Sequence, residues 1–252
     1  MTDVFRIVFL AIFLLSAPVA IYCVFVQGFD RELCAIINSY TFSSAMVALY
    51  IYPFIFPIFS KKTSFFNRLN KATMNWIIWL SVFTEVTFQI PHNLLVQQLH
   101  ELKGSSFEWP FYAYGFSDSR WNNYNGGVGL DASVWLINVN DAALGFLVLL
   151  ALLNYWKSMK SSVASPSASI IFVLTVVFRD ATLWRETVEY LWDLHRKSYP
   201  FCTFIPQYRQ HAIICLWLVN IIWLIAPMMS LIWGYLLISR LIHREQNGKK
   251  EL

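Results

Sequence analysis

Glu85, Gln89 and Pro91 fall within the stretch FTEVTFQIPHN (83–93), inside an apolar run long enough to cross a bilayer. On an α-helix Glu85 and Gln89 are i and i+4 and share one face, while Pro91 frees a backbone carbonyl one turn back and can kink the helix beside them. A carboxylate in hydrocarbon is costly, so this face is expected to look inward. Two other apolar runs carry polar groups of the same kind. In LDASVWLINVNDAALGF (130–146) Asp131, Asn138 and Asp141 form a polar stripe, with Asp131 also placed to start the helix. In LVNIIWLIAP (218–227) Asn220 and Trp223 are i and i+3, with Pro227 four residues on. Amides can orient a ligand's hydroxyl or amine, and an indole face attracts a cationic centre by about 0.5–2 kcal/mol. The alternative for each residue is a polar contact between packed helices.

The elements that must position these groups are membrane helices. Of the 252 residues 57% are hydrophobic, 17% aromatic and only 13% charged, too little charge to cover a soluble domain of this length. No low-complexity linker or internal repeat divides the chain. Six candidate spans follow, at roughly 5–26, 34–59, 73–97, 131–155, 168–190 and 211–240. The expected fold is therefore all-α, a polytopic transmembrane helix bundle of about six spans. The fifth is the difficult one, because FRDATLWRETVEYLWD (178–193) holds Arg179, Asp180, Arg185, Glu186 and Glu189. It can cross only if those groups pair or face the bundle interior, and Arg185 and Glu189 have the i, i+4 spacing for pairing.

Basic residues set the orientation. Lys61, Lys62, Arg68 and Lys71 follow the second span, Lys157 and Lys160 the fourth, and Arg240, Arg244, Lys249 and Lys250 the last. The positive-inside rule puts these segments and both termini in the cytosol, which agrees with an even number of spans. The first run could instead be a cleaved signal peptide ending near Ala17 and Ala20, although Pro18 suits that cleavage poorly. The tail GKKEL carries Lys249 and Lys250 where a dilysine retrieval signal has them, pointing to the endoplasmic reticulum, with a chance basic tail as the alternative. A net charge of +4 in short clusters gives no nucleic-acid surface. Cys23, Cys34, Cys202 and Cys215 have no metal-binding spacing, so no metal is expected; Cys34 and Cys202 are open to a disulfide or to burial as thiols.

The loop YGFSDSRW (114–121), Asp131 on the next helix and then VNIIWLIAP together resemble the emopamil-binding protein family, sterol delta-8 to delta-7 isomerases of the endoplasmic reticulum within the EXPERA superfamily. The pattern E-x-x-F-Q-x-P, here Glu85, Phe88, Gln89 and Pro91, is closer to the sigma-2 receptor branch of that superfamily. The likeness covers roughly 34–240. It implies an additional N-terminal span (1–30), an EXPERA-like membrane domain (31–242) and a basic cytosolic tail (243–252). It also implies a sterol or other apolar amphiphile as ligand and no cofactor, with self-association left open. The isomerases carry His and then Glu where this chain has Glu85 and Gln89, and Glu where it has Asn138; Asn220 and Trp223 match directly. An isomerase built on these residues would use Glu85 as acid and Asp141 as base, with Trp223 facing the carbocation and Asn220 orienting the acid. Gln89 and Asn138 would bind the ligand, and Tyr114, Asp118 and Arg120 would order the loop or close the pocket mouth. The competing reading is a protein in which the same cavity holds a sterol or another amphiphile and no proton moves.

Overall fold

In the computed structural model the described residues are 4–55, 64–95, 101–115, 121, 132–160, 166–196 and 209–248. They are helical with no strand among them: α1 (Val4–Phe25), α2 (Arg31–Ile55), α3 (Phe65–Asn75), α4 (Ile90–Leu95), α5 (Trp109–Gly115), α6 (Ala132–Lys160), α7 (Pro166–Arg196) and α8 (Arg209–Gly248). Five of these helices are long and apolar enough to cross a membrane: α1, α2, and the stretches Leu136–Lys160, Ser167–Asp193 and Arg209–His243. The charged fifth candidate is thus one of the five. The third candidate is not a plain α-helix. Residues 65–95 form one continuous helical run, the third helix of the bundle, in which α3 passes into a π-helical segment, Trp76–Val82, and a second one, Glu85–Gln89, precedes α4.

Local chemistry marks the helix starts. Ser64 caps α3, its side chain accepting the amide of Asn67 at 3.3 Å, and Asp30 accepts the amide of Leu33 at 2.7 Å ahead of α2. Between α1 and α2 the chain reverses through Gly28, whose φ of +69° lies in the left-handed region that favours glycine. The helices then pack by their apolar faces. α2 sits between α1 and α8, α8 lies against α7, and α7 against α6; the 65–95 run threads between them, touching α2, α6 and α8.

At one end Tyr155 of α6 stacks on Phe172 of α7 at 5.1 Å, Phe172 meets Trp233 of α8 edge-on, and the Trp233 indole donates to Asn70 of α3 at 2.8 Å. That end also carries Arg240, which lies 3.6 Å over the Phe66 ring, as well as Arg68, Lys71 and the last-turn Lys157 and Lys160. The described basic residues Arg68, Lys71, Lys157, Lys160 and Arg240 therefore gather on one side of the bundle. At the other end α5 folds back against α2. Its Trp109 is fully buried, Ser39 donates to the Ala113 carbonyl at 3.1 Å, and Arg31 pairs with Glu108 at 2.5 Å. Cys34 is a buried free thiol, while Cys202 lies outside the described residues.

Candidate functional site

Two neighbouring features occupy the middle of the bundle. One is a buried ionic cluster and the other an apolar cavity, and the sequence had merged them into a single pocket.

The cluster is built on Glu85, Asp141, Arg179 and Asp180, none more than 3% exposed. Arg179 donates to both Glu85 and, at 2.5 Å, Asp180; its guanidinium stands 5.4 Å from the Trp76 ring. Trp76 in turn donates its indole N–H to Asp180 at 3.2 Å. Ser81 donates to Glu85 at 2.8 Å, and Gln89 donates to Asp141 at 2.9 Å. The second oxygens of Glu85 and Asp141 have no partner. Gly145 of α6 makes room for this arrangement, since a Cβ there would overlap the Glu85 carboxylate.

Next along the run, His92 is fully buried and bonds Asn138 through one ring nitrogen and the Trp121 carbonyl through the other, each at 2.8 Å. Asn138 also donates to the Asn93 side chain at 2.8 Å. Asn138 and Asp141 thus both turn toward the third helix, as their stripe predicts.

The cavity has a volume of about 370 Å³ and lies between α1, α2, residues 83–89, α5 and α8. Phe13, Phe42, Met46, Phe88 and Trp223 supply much of its wall, with Tyr114 and Trp121 at the α5 end. Among the predicted residues Gln89, Trp223 and Tyr114 line it; Glu85, Asn138, Asp141 and Asn220 do not. Asn220 instead donates to the Leu216 carbonyl of its own helix at 2.8 Å, so it orients no acid. Trp223 packs edge-on against Trp76 at 4.8 Å, linking the cavity wall to the cluster. Asp118, Arg120 and Asp131 lie outside the described residues.

Glu85 and Gln89 both turn toward α6, Gln89 bonding Asp141 and Glu85 lying against Gly145 one turn on. The run is π-wound here, the amides of Phe83 and Ile90 reaching back five residues to Ile78 and Glu85, and positions four apart still fall on one side of it. Glu85 continues to Arg179 of α7, while Gln89 bridges Asp141 and the cavity. Thr84 and Thr87 donate to the carbonyls of Leu80 and Phe83, satisfying backbone groups along the irregular run.

Two amide oxygens on the cavity wall, Asn38 Oδ1 and Gln89 Oε1, are buried without a donor. Asn38 had no signal in the sequence beyond being an amide in an apolar helix. Arg179 did have one: an arginine inside a membrane span must pair or face the bundle interior. Pro18 and Thr87 both line the cavity and are exposed on the outside of the bundle, so the cavity reaches the lipid between α1 and the third helix. No group of three or more His, Cys, Asp or Glu able to hold a metal occurs among the described residues.

Compared with known proteins, the chain matches no family model, no curated protein and no solved structure.

Proposed function

We propose that this membrane protein binds a lipid-soluble amphiphile of the sterol class in the cavity between α1, α2, the third helix, α5 and α8, and holds it without chemical change. The composition of the wall carries this reading. Apolar side chains surround two amide oxygens that lack a donor, and no carboxyl or imidazole group lies among the described lining residues. Each unsatisfied buried acceptor costs about 1–3 kcal/mol, which a ligand hydroxyl or ammonium offsets by donating to it. The sterol class rests on the resemblance to the emopamil-binding and sigma-2 receptor branches. So does an endoplasmic reticulum location, together with Lys249 and Lys250 in the tail.

Isomerisation of a ring double bond needs an acid and a base facing the ligand. Glu85 and Asp141 stand behind the wall, tied to Arg179 and Gln89, and this favours binding over turnover.

The test uses the full chain in phosphatidylcholine vesicles. Excitation of its tryptophans is expected to transfer to bound dehydroergosterol, and Gln89→Leu is expected to weaken binding roughly fivefold to tenfold. Transfer no greater than that to an unrelated membrane protein sinks the reading. In yeast lacking its own delta-8 to delta-7 isomerase, the chain is expected to leave delta-8 sterols in place. Delta-7 sterols that disappear with Glu85→Gln would establish the isomerase instead.

A further inference from the structure

A second cavity, of about 290 Å³, lies further along the α2–α8 seam toward the basic end of the bundle. Val47, Ile51 and Phe54 of α2, Phe65 of α3, and Ile222 and Ile225 of α8 form most of its wall. Its outer rim faces lipid, with Phe65 55% and Ile225 45% exposed. Apart from the Tyr50 hydroxyl the lining has no hydrogen-bonding side chain. Water needs two to four polar partners to stay in such a space, so within a bilayer the fitting occupant is a hydrocarbon chain.

Charge decides which lipid supplies that chain. No acidic residue occurs between Glu32 and Glu85, while Lys61, Lys62, Arg68 and Lys71 all fall in that interval. Arg240 joins them from α8, held over Phe66 at 3.6 Å, and Lys71 lies over Tyr52 at 5.1 Å. Arg240 is thus fixed on the ring next to the groove-lining Phe65, with Arg68 one turn along the same helix, and cations there suit a lipid with a negative headgroup. We propose that the groove holds an acyl chain of an anionic phospholipid whose headgroup lies against Arg68 and Arg240. The site is separate from the cavity assigned to the amphiphile and does not rest on that assignment.

The experiment is native mass spectrometry of the full chain, delipidated in a nonionic detergent and offered equal amounts of phosphatidylserine and phosphatidylcholine with the same acyl chains. The wild type is expected to retain phosphatidylserine in preference. Ile225→Trp, at a position 45% exposed, fills the groove and is expected to lose the retained lipid of either kind. Arg68→Gln and Arg240→Gln should leave a lipid bound but lower the preference by roughly fivefold for each charge removed. Equal retention of the two lipids by the wild type, or an unchanged adduct in Ile225→Trp, overturns the proposal and leaves only non-specific boundary lipid.

Discussion

Arg179 occupies a position where an unpaired arginine would cost about 2.5–3.5 kcal/mol on insertion scales, and it is accommodated by bonds to Glu85 and Asp180 with Asp141 in electrostatic range. Breaking a buried pair from one side leaves the other charge stranded. Arg179→Met is accordingly expected to destabilise the fold by about 3–5 kcal/mol, measured by unfolding in detergent. The double change with Glu85→Gln should cost less than the sum of the two single changes, because the stranded carboxylate is removed with its partner. Strict additivity would mean that the two residues do not act as a pair. Gly145 offers a second check. Gly145→Ala pushes a methyl into the Glu85 carboxylate and is expected to cost about 1–3 kcal/mol as overpacking. The same change in a Glu85→Ala background should cost clearly less, since only the residue-85 Cβ at 3.1 Å remains in its way, and an undiminished cost there would mean that the Glu85 carboxylate is not what the methyl meets.

At the scale of elements, α5 is held over one end of the cavity by its own set of contacts. Pro110, Ala113 and Tyr114 line the cavity, and Arg31 reaches Glu108 while lying 4.1 Å over the Tyr112 ring. The same Glu108 oxygen accepts the amide of Gly104 at 2.6 Å, at a residue whose φ of +88° lies in the left-handed region. Glu108 is buried and Arg31 only partly so, which makes the pair a fastening between α2 and the segment that leads into α5. Arg31→Gln is expected to speed labelling of an Ala113→Cys variant by a water-soluble thiol reagent. Unchanged labelling would show that Trp109 packing and the Ser39 bond hold α5 without the ion pair. The third helix shows a different element-level lesson. Its apolar content predicts a membrane-crossing helix, but the π winding of Trp76–Val82 and Glu85–Gln89 does not follow from residue types.

For the whole molecule, the placing of Arg68, Lys71, Lys157, Lys160 and Arg240 at one end and α5 at the other yields a testable topology. If residues 65–95 cross the membrane along with the five long apolar helices, a glycosylation acceptor inserted in 122–130 should be modified in the endoplasmic reticulum. One inserted in 161–165 should remain unmodified. The reverse pattern would invert the bundle, and modification of both would mean that α6 does not cross. The paired charges of α7 are consistent with its crossing: Arg179, Asp180 and Glu186 are buried inside the bundle, and Arg185 lies 3.7 Å from Glu189 at the exposed i, i+4 spacing.

Hydropathy by itself determined the class of this protein. Runs of apolar residues in the chain must form helices in lipid, since every backbone group has to be satisfied within its own segment, and the burial of Glu85, Asn138 and Asp141 followed from the cost of leaving them in hydrocarbon. Their inward direction was legible for the same reason. What remained illegible was which inward space each one faces. Glu85 and Gln89 look equivalent on a regular helix, yet Glu85 meets Arg179 of α7 and Gln89 reaches the cavity wall, a difference set by the neighbours packed around each. Asn38, on α2, is brought into that wall only by the packing of distant helices, and Arg179 becomes the partner of Glu85 only across the bundle. The separation of an ionic cluster from an apolar cavity is therefore a property of the tertiary structure, because it depends on contacts between residues far apart in the chain.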